Sequence, residues 1–289
     1  MSIRLEDVSY TYMRGTPFEK TALQHVSLSI EEGSFVAIAG HTGSGKSTLV
    51  QHLAGLIAPT GGKVLVDDVD LSDTSRAGKA AAKEARRKVG MVFQYPEHQL
   101  FEETVEADIA FGPRNLGCSE KEIAERVHAA MELVGLDYET YHAQPPFQMS
   151  GGQKRRAAIA GVLAMKPKYL ILDEPTAGLD PAGREKMLKE IRALHKKHGF
   201  TIVLVSHSME DIARFAERML VLRKGTCVLD DAPSNVFRQT ELLEQSGLRP
   251  PQVTSFLQML RQKGLDVSMD AITFEDGLEA VLKAVKHRQ

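Results

Sequence analysis

Gly40-His41-Thr42-Gly43-Ser44-Gly45-Lys46-Ser47 has the form G-x-x-x-x-G-K-S. Glycines at these spacings let a backbone curl until successive N–H groups face one anion. The loop opens a run with helical spacing through Leu49, Leu53 and Leu56, and a helix N-terminus favours the same negative charge. Lys46 is placed to reach the β- and γ-phosphates of a nucleotide, the Ser47 hydroxyl to hold Mg²⁺, and Thr48 to make a further phosphate contact. This stretch implies a nucleotide triphosphate bound as its magnesium complex.

Leu170-Ile171-Leu172-Asp173-Glu174 is an apolar run ending in two acids. A run of that kind reads as a buried strand, and its acids then emerge at the carboxyl edge of a sheet, where α/β proteins bind ligands. Asp173 is expected to hold Mg²⁺ and Glu174 to polarise the water that attacks the γ-phosphate. Pro175 follows at once and ends the strand.

The elements that must carry these groups are legible in outline. Apolar alternation or short apolar runs predict strands over Ile3–Tyr12, Leu23–Ile30, Phe35–Ala39, Lys63–Val69, Tyr169–Leu172 and Thr201–Val205. A hairpin is predicted over Met219–Val228, around Lys224-Gly225. Helical spacing predicts helices over Lys46–Ile57, Arg76–Lys88, Gly152–Met165, Ala182–His195 and Met209–Glu217. Another begins at Ser119-Glu120-Lys121-Glu122, a capping-box sequence, with Ile123, Val127, Met131 and Val134 as its apolar face. Arg76–Lys88 carries six basic residues and one acid, a pattern expected of a solvated helix. Strands alternating with helices give an α/β fold with a mainly parallel sheet. Helix resumes at Pro233–Phe237, Pro250-Pro251 marks a boundary, and the rest of the chain is expected to be a small, mainly helical appendage.

Composition sets limits. The chain has 289 residues, 43% hydrophobic and 26% charged, with a formal net charge of −2. It is long enough for a normal core without staples. A charge so near zero argues against nucleic acid as a partner held by bulk electrostatics. Cys118 and Cys227 have no metal-ligand or disulfide-framework spacing and are expected as reduced thiols. The opening MSIRLEDVSY lacks the apolar core of a secretion signal. The longest apolar runs are too short to cross a bilayer, so a membrane role is expected only through a partner.

A phosphate loop alone admits kinases, GTPases and helicases. Met149-Ser150-Gly151-Gly152-Gln153 narrows the choice, because it resembles the L-S-G-G-Q signature of ABC ATPases, with Met149 in place of Leu. Gln94 follows the apolar run Val89–Phe93 as the Q-loop does in that family. Ala177-Gly178-Leu179-Asp180 resembles the D-loop, and His207 stands where the switch histidine stands. Tyr12 sits where an aromatic ring stacks on adenine. The resemblance covers residues 1 to about 230 and implies an ABC-type nucleotide-binding domain. Its parts are a RecA-like core, an antiparallel β subdomain and a helical subdomain at about 95–165, with 231–289 as the helical appendage. It further implies ATP hydrolysis, with Lys46 and Mg²⁺ neutralising phosphate charge, Gln94 sensing metal and water, and His207 contacting the γ-phosphate. Ser150, Gly151, Gly152, Gln153 and Asp180 would serve an ATP shared with a second ABC ATPase, identical or paralogous.

Finer details resemble the ATPase component of energy-coupling factor transporters, which import vitamins and transition-metal ions. They are Gly15-Thr16-Pro17-Phe18-Glu19, Gly40-His41-Thr42-Gly43, Gln51-His52-Leu53, Ala158–Ala164 and Phe93-Gln94-Tyr95-Pro96-Glu97-His98-Gln99-Leu100-Phe101. The resemblance implies a peripheral protein on the cytoplasmic face of the cell membrane. A membrane scaffold would dock near Tyr95–Glu103, anchored on Leu100 and Phe101, and a separate substrate-binding membrane protein would be engaged indirectly. The competing readings are a soluble ABC protein acting on nucleic acid or ribosomes, a metabolic P-loop kinase, and the motor of another ABC importer or of an exporter.

Overall fold

The computed structural model describes residues 1–286. The last three residues of the expected 231–289 appendage lie outside the described residues. Among the described residues, ten strands form two sheets. They are β1 (Ser2–Tyr12), β2 (Lys20–Glu31), β3 (Phe35–Ala39), β4 (Gly61–Val66), β5 (Val69–Asp70), β6 (Val89–Val92), β7 (Tyr169–Asp173), β8 (Thr201–Val205), β9 (Arg218–Arg223) and β10 (Thr226–Asp231). The smaller sheet is antiparallel, in the order β2-β1-β4-β5. The larger runs β10-β9-β3-β8-β7-β6 and is parallel except for its edge strand β10.

The large sheet is covered on both faces, which is why its central strands read as unbroken apolar runs. Alternate residues go opposite ways. Phe35, Leu170, Leu172, Ile202 and Leu204 join a core with the helices Val105–Asn115, Glu120–Leu133, Gly151–Leu163 and Pro181–His198. Val36, Ile38, Ile171, Val203 and Val205 face the other way, onto the antiparallel sheet and the helices Lys46–Leu53 and Arg76–Arg87. Every residue of β3 is fully buried. The strand that delivers the phosphate loop is therefore fixed from both sides, at about 2 kcal/mol for each large apolar side chain removed from water.

Several expected boundaries move. The helix from Lys46 ends at Leu53, not Ile57. Gly55 takes φ +66°, and the Leu56 N–H donates to the Gln51 carbonyl, a left-handed stop that satisfies the last carbonyls. The strand expected over Lys63–Val69 is a tight hairpin of β4 and β5, because Asp67 and Asp68 both adopt positive φ. No glycine marks that turn, so composition hid it. At Ser119 only half of the capping box forms: its hydroxyl accepts from the Glu122 N–H at 3.4 Å, while the Glu122 carboxylate turns to Arg126 at 2.6 Å. The reciprocal box forms instead at Ser150 and Gln153.

Beyond the hairpin of β9 and β10, Val236, Phe237, Leu243 and Leu248 pack with Ala37, Ala39 and Val221 of the large sheet. The final helices Gln252–Gln262 and Phe274–Lys286 share a separate small cluster around Leu257, Val267 and Ala284. Among the described residues no helix is long and apolar enough to cross a membrane.

Candidate functional site: a phosphate loop facing a carboxylate, an amide and an imidazole

The loop after β3 depends on two glycines. Gly40 has φ +155°, and a Cβ there would meet the Leu222 carbonyl and the Ser44 hydroxyl at 2.5 Å. Gly45 has φ +109°, and a Cβ would meet the Ala22 carbonyl at 2.6 Å. Both positions therefore demand glycine for conformation and for space. The Lys46 ammonium arches back over the loop and donates to the carbonyls of Gly40 at 2.7 Å and His41 at 3.2 Å. Burial lowers its pKa, against the opposing pull of Glu174 and Asp173. The Ser44 hydroxyl is fully buried with no partner among the described residues. An orphaned donor inside a glycine loop suits a ligand rich in acceptor oxygens.

Opposite the loop, β7 and β8 end side by side and deliver the acids and the histidine. Glu174 takes φ +50°, an uncommon state for a non-glycine residue and a local store of strain. The Glu174 N–H donates to the Val205 carbonyl at 3.2 Å, fixing the bend between the two strand ends. The Glu174 carboxylate then accepts from Gln94 Nε2 at 2.9 Å on one oxygen and pairs with His207 Nε2 at 2.5 Å on the other. Asp173 lies deeper. Burial first and Glu174 second push its carboxyl pKa up, while Lys46 and His207 pull it down.

One cavity of about 390 Å³ has Tyr12, Lys20, Ala22, Thr42, Gly43, Gly45, Lys46, Ser47, Thr48, Gln94, Glu174 and His207 at its wall, with Asp173 behind it rather than on its lining. Gly40 and Ser44 lie in the loop beneath. His41 turns away, its Nδ1 2.6 Å from the Thr42 carbonyl. The structure thus brings together most of the residues singled out in the sequence. It does not bring Ser150–Gln153 or Asp180 to this cavity. Ser150 caps the helix Gly151–Leu163, its hydroxyl accepting from the Gln153 N–H at 3.3 Å while Gln153 Oε1 accepts from the Ser150 N–H at 2.8 Å. Asp180 caps Pro181–His198 by accepting from the Gly183 N–H at 2.7 Å.

Two contributions escaped sequence reasoning. Lys20 and Ala22 reach the cavity because β2 pairs back on β1, with Lys20 opposite Tyr12. Arg155 is only 2% exposed and grips Glu97 through two bonds of 2.6 and 3.0 Å. Its other terminal nitrogen donates to the carbonyls of Pro175 at 3.0 Å and Ala177 at 2.8 Å. One guanidinium therefore joins the turn after Gln94, the helix after Ser150 and the segment after Glu174. At the expected docking turn, Leu100 packs half-buried on the helical core. Phe101 stays 64% exposed, edge-on to Phe111. Of the two expected anchors, only Phe101 presents itself.

Fold and site together define a P-loop ATPase of the ABC type. The ABC transporter family profile matches residues 23–177. Energy-coupling factor transporter ATP-binding protein EcfA2 of Clostridium perfringens is 55% identical over 99% of both chains, and that of Clostridium tetani is 54% identical over 100% of this chain and 99% of its own. Among solved structures, cbiO1 from Clostridium perfringens, part of the ABC transporter complex cbiONQ, superposes with TM-score 0.73 at 37% identity, covering 89% of this chain and 98% of its own. The ATP-binding cassette MJ0796, a dimer in a post-hydrolysis state with ADP and Pi, gives TM-score 0.69 at 32% identity, covering 80% and 98%. The chain belongs to the ABC transporter family, in its branch of energy-coupling factor transporter ATP-binding proteins. It is an ATP-hydrolysing subunit of an importer of that class.

Proposed function

We propose that the cavity binds ATP with Mg²⁺ and that Glu174, Gln94, His207 and Lys46 carry out hydrolysis within it. The observation that carries this reading is the convergence of Lys46 and Glu174, from opposite walls, on one cavity that Gln94 and His207 also line. Tyr12 offers a ring for adenine. The backbone of Gly40 to Gly45 cradles the phosphates, with Lys46 and Thr48 adding side-chain contacts.

The residues present fit a hard divalent cation. Ser47, Asp173 and Gln94 supply oxygen donors, and Asp173 is a carboxyl that burial and a neighbouring carboxylate disfavour as an anion, a situation a cation relieves. Bound Mg²⁺ supplies neutralisation of the β- and γ-phosphate oxygens. The chain's own work is positional. Glu174 orients the attacking water, and Gln94 and His207, both bonded to it, fix its carboxylate.

The separation of Ser150, Gly151, Gly152, Gln153 and Asp180 from the cavity supports a composite site. These groups serve the ATP of a second ABC ATPase, and that partner's serve this one. The scaffold docks on the turn Tyr95–Glu103 with Phe101 as its exposed anchor, and the substrate-binding membrane protein is reached only through the scaffold. The chain acts as a peripheral subunit on the cytoplasmic face of the cell membrane, in the uptake of vitamins or transition-metal ions. Nucleic acid has no part in it. Residues 1–230 form the ATPase domain and 231–289 the appendage.

The test is affinity purification of the tagged chain from its native membranes in mild detergent. A second ABC ATPase, a multi-span scaffold and small membrane proteins are expected to co-purify, and Phe101→Asp is expected to lose the membrane subunits while keeping the partner ATPase. Recovery with ribosomes or DNA, or without any membrane protein, would overturn the assignment.

A further inference from the structure

Tyr12 is held by a closed circuit of four residues. Thr48 and His52 stand four residues apart on one face of the helix Lys46–Leu53. Tyr10 and Tyr12 stand two apart on β1. The Tyr12 hydroxyl meets the Thr48 hydroxyl at 3.1 Å, and the His52 ring meets the Thr48 carbonyl through Nδ1 at 2.7 Å. Tyr10 closes the ring, edge-on to His52 with centroids 4.9 Å apart and to Tyr12 at 4.8 Å.

His52 is a costly choice for this place. It is fully buried, and burial lowers its pKa, so it is held neutral. A carbonyl only accepts, so Nδ1 carries the proton and Nε2 is left as an acceptor. That Nε2 is buried with no partner among the described residues. A leucine would fill the space without orphaning a nitrogen. What the imidazole adds is a donor to the carbonyl of the residue that holds Tyr12, and an aromatic surface for the ring that packs on Tyr12.

We propose that His52 and Tyr10 are positioning residues for nucleotide binding: together they fix Tyr12, and through it the base, relative to the phosphate loop. The proposal rests on Tyr12 being the adenine platform. Neither residue lines the cavity, so each acts through Tyr12 and Thr48. His52 touches the Thr48 carbonyl and Tyr10 the rings of Tyr12 and His52, neither of them the Thr48 hydroxyl that serves the phosphates, so replacing either is expected to act on the base and to spare the grip on the phosphates.

The experiment titrates the purified full-length chain, by calorimetry with Mg²⁺ present, with ATP and separately with inorganic tripolyphosphate, which has no base. His52→Leu and Tyr10→Leu are each expected to weaken ATP about 2- to 10-fold, the range set by an aromatic pair, with tripolyphosphate unchanged. Neither is expected to weaken ATP further when added to Tyr12→Ala. If Tyr12→Ala leaves ATP affinity intact, the platform reading fails and the circuit falls with it. If Tyr12→Ala weakens ATP but His52→Leu and Tyr10→Leu do not, the platform stands and the positioning proposal is overturned. It is equally overturned if they weaken both ligands alike, which is what damage to the loop or the fold would produce; Tyr10, only half-buried on its strand, keeps the test open should His52→Leu fold poorly.

Discussion

Arg155 and Glu97, 58 positions apart, form a bidentate ion pair in which the arginine is almost wholly buried. The pair ties the turn that follows Gln94 to the helix that Ser150 caps. The same guanidinium also satisfies two carbonyls just past Glu174. Movement of any one of these segments is thereby felt by the other two.

Removing one partner of such a pair leaves a buried charge uncompensated. Arg155→Ala and Glu97→Ala are each expected to cost about 3–5 kcal/mol of stability. Arg155→Lys should recover little of that, since an ammonium cannot span a carboxylate and two carbonyls at once. Denaturant unfolding of the single and double variants checks this. Losses that simply add would mean that the two side chains do not work as a unit.

Glu174→Gln is expected to keep ATP binding and to lower turnover by about 10²- to 10⁴-fold, the range for removing a group that manages a proton in the transition state. The glutamine can still accept a hydrogen bond, so the links to Gln94 and His207 need not collapse. Single-turnover hydrolysis measured beside nucleotide affinity separates the two effects. Unchanged hydrolysis would remove Glu174 from its role.

Mixed pairs of ATPases test the composite site. A Lys46→Ala lesion in one chain and a Ser150→Ala lesion in its partner fall in the same site, leaving the other intact. Both lesions in one chain damage both sites. The first arrangement is expected to retain hydrolysis at one site, and the second to lose it at both. Equal activity of the two would show that each chain works alone.

Asp67 gives a pH prediction. Burial pushes its carboxyl up, but bonds from Lys88, Tyr169 and Lys168 outweigh burial and hold it at about 2, below the ordinary 3.8. A depressed carboxylate favours the folded state above its ordinary pKa, and that stabilisation is lost as pH falls from about 4 toward 2. With its side chain 5% exposed, the shift corresponds to about 2 kcal/mol at neutral pH. Asp67→Asn should therefore lower the melting temperature at pH 7, with the gap from the parent narrowing below about pH 4. A constant gap across that range would place the effect in packing rather than charge.

Contiguous chemistry was legible without coordinates. The phosphate loop is one uninterrupted stretch, and its glycines, lysine and hydroxyls follow from backbone geometry alone. The strands around it were equally clear, since a strand buried on both faces is apolar along its length, as Phe35–Ala39 and the stretch 202–205 are. Gln94, Glu174 and His207 could be nominated one by one through motif resemblance.

Tertiary structure alone decided which of these meet. Glu174 lies 80 positions from Gln94, and its bonds to Gln94 and His207 exist because β6, β7 and β8 lie side by side and end at the same edge of one sheet. The turn at Asp67-Asp68 carries only the weak signal of two aspartates, which tolerate positive φ, and Asp67 is tied in place by Lys88 and Lys168, which come from elsewhere in the fold. Nothing in the sequence singles out Arg155, whose place at the junction of three segments comes from packing alone. The sequence by itself determined the chemistry each segment could offer, since that depends on neighbours along the chain. Partners across space depend on strand order and helix packing, and these were settled by the burial of two sheet faces at once.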